Sequence, residues 1–177
     1  MIRNWTMTGI LAITMVLEAN ERLPLLHFDN PTETSHYQTN VGVKAKTVED
    51  SSGQRMLEVE VAPLSEHNNP WPALAVTTPG LGIAPWDLSN YSKIEVKIQK
   101  LSSGLAQMST LLSSLPINDG GANFEYCTYM LPGGETMVQQ ILLSDIIKEC
   151  NDPSSLQHIL FSFPATSFTE TYRIWSV

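Results

Sequence analysis

Between Lys93 and Gln99 the apolar residues Ile94, Val96 and Ile98 alternate one for one with Lys93, Glu95, Lys97 and Gln99. A period of two belongs to an extended strand with one dry face and one wet face, because successive side chains leave a pleated backbone on opposite sides. Arg55 to Ala62 repeats the pattern, with Leu57, Val59 and Val61 on one side and Met56, Glu58 and Glu60 on the other. Further segments of strand length run from Leu23 to Phe28, Val41 to Val48, Trp71 to Thr77, Leu105 to Leu112, Ala122 to Met130, Glu135 to Leu143, Leu156 to Phe163 and Thr169 to Val177. Turn residues separate them, among them Asp29-Asn30-Pro31, the polar stretch Glu49 to Gly53, and Leu131-Pro132-Gly133-Gly134. Glycine in such turns takes the positive φ that other residues resist. The 3.6-residue rhythm of a helix is nearly absent. Ser144-Asp145 can cap one or two helical turns toward Cys150, and Asn151-Asp152-Pro153 stops them. About ten short strands at this spacing predict an all-β fold, a two-sheet antiparallel jelly-roll β-sandwich with one short helix near residues 144–150.

Hydrophobic residues make up 42% of the 177 and charged residues 16%, enough apolar material for a core and too little charge for a disordered chain. No internal repeat, low-complexity tract or linker interrupts the pattern, so one domain is expected over residues 20–177. Ahead of it, Arg3, the apolar run from Met7 to Leu17 and the small residue Ala19 have the parts of a secretory signal, and the run is too short to span a bilayer as a helix. Residues 1–19 are therefore expected to be a signal peptide or an N-terminal arm, and the protein to be secreted, periplasmic or at the cell surface. With 10 Lys and Arg against 18 Asp and Glu, the net charge is −8. That excess of acid argues against nucleic acid and against an anionic membrane surface, since both are held by clustered basic residues.

Cys127 and Cys150 do not form a Cys-x-x-Cys pair, and His27, His36, His67 and His158 are scattered singly, so there is no zinc-ligand pattern. Whether the two cysteines pair depends on the fold bringing them within disulfide reach. No nucleophile elbow, P-loop or dinucleotide fingerprint occurs, and no cofactor is expected.

Several segments, taken in order, carry a resemblance: Leu26-His27-Phe28-Asp29; Asn69-Pro70-Trp71-Pro72-Ala73-Leu74; Trp86 to Val96; Leu131-Pro132-Gly133-Gly134-Glu135 with Ile141 to Ile146; and Leu156 to Phe161. Together, over residues 24–177, they resemble the galactose-binding-like jelly-roll carbohydrate-binding modules attached to agarases and other glycoside hydrolases. The resemblance implies an exported, non-catalytic module that binds a polysaccharide or oligosaccharide, with a catalytic domain in the same or a partner chain. It also implies a structural calcium beside the first and last strands, for which Asp29 and Glu33 are the nearby carboxylates. Those modules commonly place an Asp near the end of the last strand, where this chain has Trp175. The oxygen supply for a hard cation is therefore thin.

Sugar surfaces need aromatic faces for the apolar side of a pyranose and amides or charged groups for its hydroxyls. Trp71, with Asn69 beside it in a polar loop, fits that description, whereas Trp86 is expected to pack beneath the strand that follows it. Along Ala122 to Met130, Glu125 and Tyr129 share a face, and Gln140 is expected from an adjacent strand. Tyr37 stands in a loop between His36 and Gln38. Trp71, Tyr129, Glu125, Gln140, Asn69 and Tyr37 are thus the candidate ligand-binding residues. The competing reading is a protein-binding or adhesive jelly roll that uses Trp71, Trp175 and the apolar N-terminal segment as interface. A small secreted hydrolase or lyase is the third, and no strand face carries the density of Arg, Lys, His and Tyr that a lyase needs.

Overall fold

The computed structural model describes residues 25, 37–78, 82, 84–114, 125–146 and 152–175. Ten strands form in chain order: β1 (Tyr37–Thr39), β2 (Val43–Glu49), β3 (Arg55–Val61), β4 (Ala73–Thr77), β5 (Lys93–Lys100), β6 (Leu105–Ser113), β7 (Glu125–Pro132), β8 (Thr136–Leu142), β9 (His158–Ser162) and β10 (Glu170–Ile174). Two single-turn helices, α1 (Leu64–His67) and α2 (Leu143–Ile146), and a 3-10 turn at Pro153–Ser155 complete the described elements. The strands make two five-stranded sheets, ordered β1-β4-β9-β6-β7 and β2-β3-β10-β5-β8, with antiparallel neighbours throughout. This is the all-β sandwich that the alternation predicts.

The period of two decides what lies between the sheets. Leu57, Val59 and Val61 of β3, Ile94, Val96 and Ile98 of β5, Leu74 and Val76 of β4, and Ile159 and Phe161 of β9 are all buried in one core. Met56 departs from its sequence pattern: it falls among the outward residues of β3 yet is buried. Two elements were not foreseen. Three-residue β1 is too short to show a period, and its pairing with Leu74 to Val76 is a tertiary contact. The single turn α1 lies where a loop was expected. The first predicted strand, apart from buried Leu25, lies outside the described residues, as do residues 1–19, Asp29, Glu33 and Cys150.

Because the strands alternate in direction, five connections gather at one end of the sandwich: residues 40–42, 62–72, 101–104, 133–135 and 163–169. A buried charge network ties the connection 101–104 to the start of β10. Lys100 continues the inward row of β5, and its side chain is 1% exposed; Glu170, at 5%, lies 2.9 Å away at the start of β10. The ammonium also donates to Ser102 Oγ at 2.8 Å and to the carbonyls of Ser103 and Ser102 at 2.8 and 3.2 Å, so oxygens surround it. Tyr172 donates its phenol to the other Glu170 oxygen. Burial first, and then the Glu170 carboxylate, hold that phenol far above its ordinary value. The connection 101–104 closes over the network against Gly133, where a Cβ would sit 2.0 Å from the Ser102 carbonyl oxygen. Only glycine fits there.

The outward face of the second sheet carries a charged row, in which Glu58 accepts from Arg173 Nε and Nη2 at 3.2 and 3.1 Å and pairs with Lys46 at 3.0 Å. Burial pushes the Glu58 carboxyl up, but the hydrogen bonds from Lys46 and Arg173 outweigh it and hold the group below its ordinary value of 4.5. A folded-state value lower than the unfolded one means that this contribution to stability is complete above the ordinary value and fades as pH falls through the lowered one. Urea midpoints measured from about pH 7 down to about pH 3 should therefore fall, and less steeply in Arg173→Met.

Candidate functional site

Trp71 is 73% exposed at the loop end, yet its backbone is held from both sides. Pro70 and Pro72 flank it; the second restricts Trp71 itself to extended conformations, because the proline ring clashes with a helical residue before it. Asn40 acts as a two-pronged clamp. Its Nδ2 donates to the Trp71 carbonyl at 2.6 Å, and its Oδ1 accepts from the Ala73 N–H at 2.8 Å. From the other side, Asn69 Oδ1 accepts the Trp71 N–H at 3.0 Å while its Nδ2 donates to the Val41 carbonyl at 3.0 Å. An exposed indole on a fixed backbone is a platform whose ordering cost is met before a ligand arrives.

Beside the platform lies a shallow groove of about 250 Å³ lined by Val41, Gly42, Lys44, Glu60, Glu66 and His67, with Asn69 between it and Trp71. His67 shapes the floor. Its Nδ1 accepts the Asn69 N–H at 3.0 Å, which leaves Nε2 as the protonated nitrogen donating to the Ala62 carbonyl at 3.0 Å. Both ring nitrogens are therefore used internally. Gly42, with φ at +91°, passes so near that a Cβ there would meet the ring at 2.4 Å. Lys44 and Glu60 stand 3.9 Å apart with largely exposed side chains, a loose surface pairing. Val41, Leu64 and Phe168 are also exposed at this end, and the Leu64 N–H to Thr166 carbonyl bond of 2.8 Å ties two of the connections together. The Trp71 indole with its two amide clamps and a groove carrying two carboxylates and an ammonium thus lie at the same end of the sandwich.

Removing the clamp tests the platform. Asn40→Ala should lower stability by about 1–2 kcal/mol, since both prongs of the clamp are lost and each hydrogen bond is worth about 0.5–1.5 kcal/mol net, and should widen the orientation of Trp71, seen as a drop in indole fluorescence anisotropy in the folded protein.

The other predicted site residues do not converge here. Tyr129 was expected on a solvated face, but it is 7% exposed and lies in the core, where its hydroxyl pairs with Thr110 Oγ1 at 3.1 Å. Burial pushes its phenol up to about 12. The reason is register: Tyr129 stands opposite Met108 on β6, whose inward face is apolar. Gln140 is exposed and donates to Glu95 Oε1 at 2.9 Å. It does not neighbour Tyr129 on a shared sheet face, because β7 and β8 are edge strands of different sheets. Glu125 pairs through its backbone with Leu112, and its side chain lies outside the described residues. Tyr37 is not in a loop: it begins β1 and packs against the core half-buried. Trp86 is buried and bridges Leu156 through its backbone, as its expected packing role requires. Asn40, Lys44, Glu60 and Glu66 were missed. Asn40-Val41-Gly42 is legible as a turn, but no local signal tells which backbone, thirty residues away, the Asn40 amide grips.

At the end of the last strand Trp175 takes the place where the resemblance expects an Asp, and the carboxylates of the calcium expectation, Asp29 and Glu33, lie outside the described residues. The Trp175 side chain is buried there and offers no oxygen, and the Lys97 ammonium lies 4.6 Å from its ring centroid. Burial also removes Trp175 from any exposed interface. Among the described residues no group of three or more His, Cys, Asp or Glu could hold a metal ion, and no helix is long and apolar enough to cross a membrane.

No family model and no curated protein sequence matches the chain. Solved structures do match in fold. An exo-β-agarase superposes with a TM-score of 0.63 at 15% identity over 87% of this chain. A family 11 carbohydrate-binding module from Clostridium thermocellum, in complex with a β-1,3-1,4-mixed-linked tetrasaccharide, gives 0.51 at 16% identity, covering 79% of this chain and 84% of its own. A family 30 carbohydrate-binding module gives 0.52 at 15% identity over 80% of this chain and 88% of its own. The fold is thus that of the galactose-binding-like carbohydrate-binding modules. The chain spans about a quarter of the agarases it matches, at 25% and 23% of their length.

Proposed function

We propose that this domain is a non-catalytic carbohydrate-binding module that takes a polysaccharide or oligosaccharide at its loop end, with the Trp71 indole stacking on a sugar ring and the groove of Lys44, Glu60 and Glu66 receiving hydroxyls. The observation that carries the reading is the Trp71 indole, 73% exposed on a backbone hydrogen-bonded from both sides by Asn40 and Asn69, at the same end of the sandwich as the exposed Lys44 and Glu60. The shared fold with modules that bind sugars supports it. The comparison with agarases, of which the chain spans a quarter, supports an exported accessory domain of a glycoside hydrolase, joined to a catalytic unit in the same or a partner chain. The test is affinity electrophoresis in gels cast with agar, mixed-linkage β-glucan, xylan, mannan or pectin. Retardation in at least one gel is expected. Free migration in all of them, with a co-purifying protein instead, would transfer the exposed Trp71, Val41 and Phe168 to a protein interface.

A further inference from the structure

On β9 the core residues Ile159 and Phe161 alternate with His158, Leu160 and Ser162, which belong to the side away from the core. The outer side of an antiparallel sheet ordinarily meets water. His158 does not: it is 5% exposed, and among the described residues neither ring nitrogen has a hydrogen-bond partner. Its cross-strand neighbours, Thr77 of β4 and Ser113 of β6, are 5% and 1% exposed. Ala75 and Leu111, the next pair along that side, are 7% and 6% exposed. The ring thus lies in a dry row across three strands. Two backbone bonds join them there, from the Gln157 N–H to the Ser113 carbonyl at 3.0 Å and from the Thr78 N–H to the Gln157 carbonyl at 2.9 Å.

We infer that His158 is an acid-operated switch: the neutral ring lets β4, β9 and β6 close around it, and the protonated ring opens that end of the first sheet. A neutral imidazole leaves two polar atoms unmet, whereas an imidazolium would bury a full charge, which costs far more without a counter-charge. Among the described residues none is at hand. Thr77 and Ser113 stand beside the ring on β4 and β6 and carry no charge, and Gln157 and Leu160 flank it on its own segment. The carboxylates at this end, Asp87 and Asp152, are exposed and accept from Ser89 and Ser154 within their own turns. Burial accordingly holds the ring below its ordinary value of 6.5. The unfolded chain then takes up the proton more readily than the folded one. This contribution to stability is therefore complete above about pH 6.5 and is lost as pH falls toward the lowered value. The Glu58 loss lies lower, from about 4.5 down, so the two occupy different pH windows.

The test is urea unfolding of the full chain from about pH 7 to about pH 5, with His158→Gln and His158→Leu beside the parent. The unfolded-to-folded ratio of the parent should rise below about pH 6.5, by up to about tenfold per pH unit, and the folded variants should lack that part of the rise. His27, His36 and His67 are common to parent and variants, so the difference isolates His158. Hydrogen exchange places the opening: corrected for intrinsic rates, the Thr78 and Gln157 amides should exchange faster at about pH 5 in the parent but not in the variants. Should both variants fail to fold, an NMR titration of the His158 ring in the parent decides alone. A midpoint well below 6.5 supports the switch, and one at or above 6.5 overturns it. An identical pH dependence in a folded variant, or amides that do not open in the parent, likewise overturns it. No readout here involves sugar, so this inference and the sugar-binding reading fail separately.

Discussion

Glu170→Ala should destabilise the domain by about 3–5 kcal/mol, the usual cost of leaving a buried charge without its partner. The Lys100 ammonium, 1% exposed, would keep its hydroxyl and carbonyl contacts with Ser102 and Ser103 but lose its counter-charge, and Tyr172 would lose its acceptor. Lys100→Met should cost a similar amount by stranding the carboxylate instead. The double variant Lys100→Met/Glu170→Leu should regain most of the loss, because the desolvation cost of both charges disappears together. Urea unfolding of the three variants at neutral pH measures this. A single-variant loss below about 1 kcal/mol, the range of a solvated surface pair, would show that water reaches the network and that it does not hold the 101–104 connection to the start of β10.

Trp71→Ala is expected to do the opposite: little to stability and much to binding. A side chain 73% exposed makes few packing contacts, so the unfolding free energy should change by less than about 0.5 kcal/mol. Binding should weaken by about 2 kcal/mol or more, the usual loss when an aromatic anchor is truncated, which is about thirtyfold in affinity. Trp71→Phe should fall between, since it keeps a smaller aromatic face. The readout is the migration of each variant in the gel that retards the parent, beside its thermal midpoint. Full retardation of a folded Trp71→Ala would move the sugar site away from the loop end.

Much of the fold could be read from local pattern. Lys93 to Gln99 and Arg55 to Ala62 announced β5 and β3 because each strand has one dry face, and burial repeats that period directly. Trp71 stood out as a candidate because it is an aromatic at a strand entry beside two asparagines in a polar loop, and its side chain is 73% exposed. Tyr129 misled for a comparable reason. Alternation separates two faces of a strand but does not say which one points inward when both carry polar and aromatic residues, as they do in Ala122 to Met130. Gln140 misled through topology: consecutive strands usually neighbour one another, whereas β7 and β8 close different sheets. Lys100 lies one residue beyond the alternating run Lys93 to Gln99, and no local signal marks it for burial. Its burial follows from Glu170, seventy residues away.

The sequence by itself determined the rhythm of nine of the ten described strands, the turns that separate them and the apolar rows that meet in the core, because these depend on side-chain period and on the backbone freedom of single residues. The tertiary structure alone decided which strands became edges, that Asn40 grips the backbone of Trp71, and that Lys100 and Glu170 share one dry pocket. Each of those is a contact between groups far apart in the chain, and its energy depends on distance and on the exclusion of water, neither of which exists until the two sheets have closed on each other.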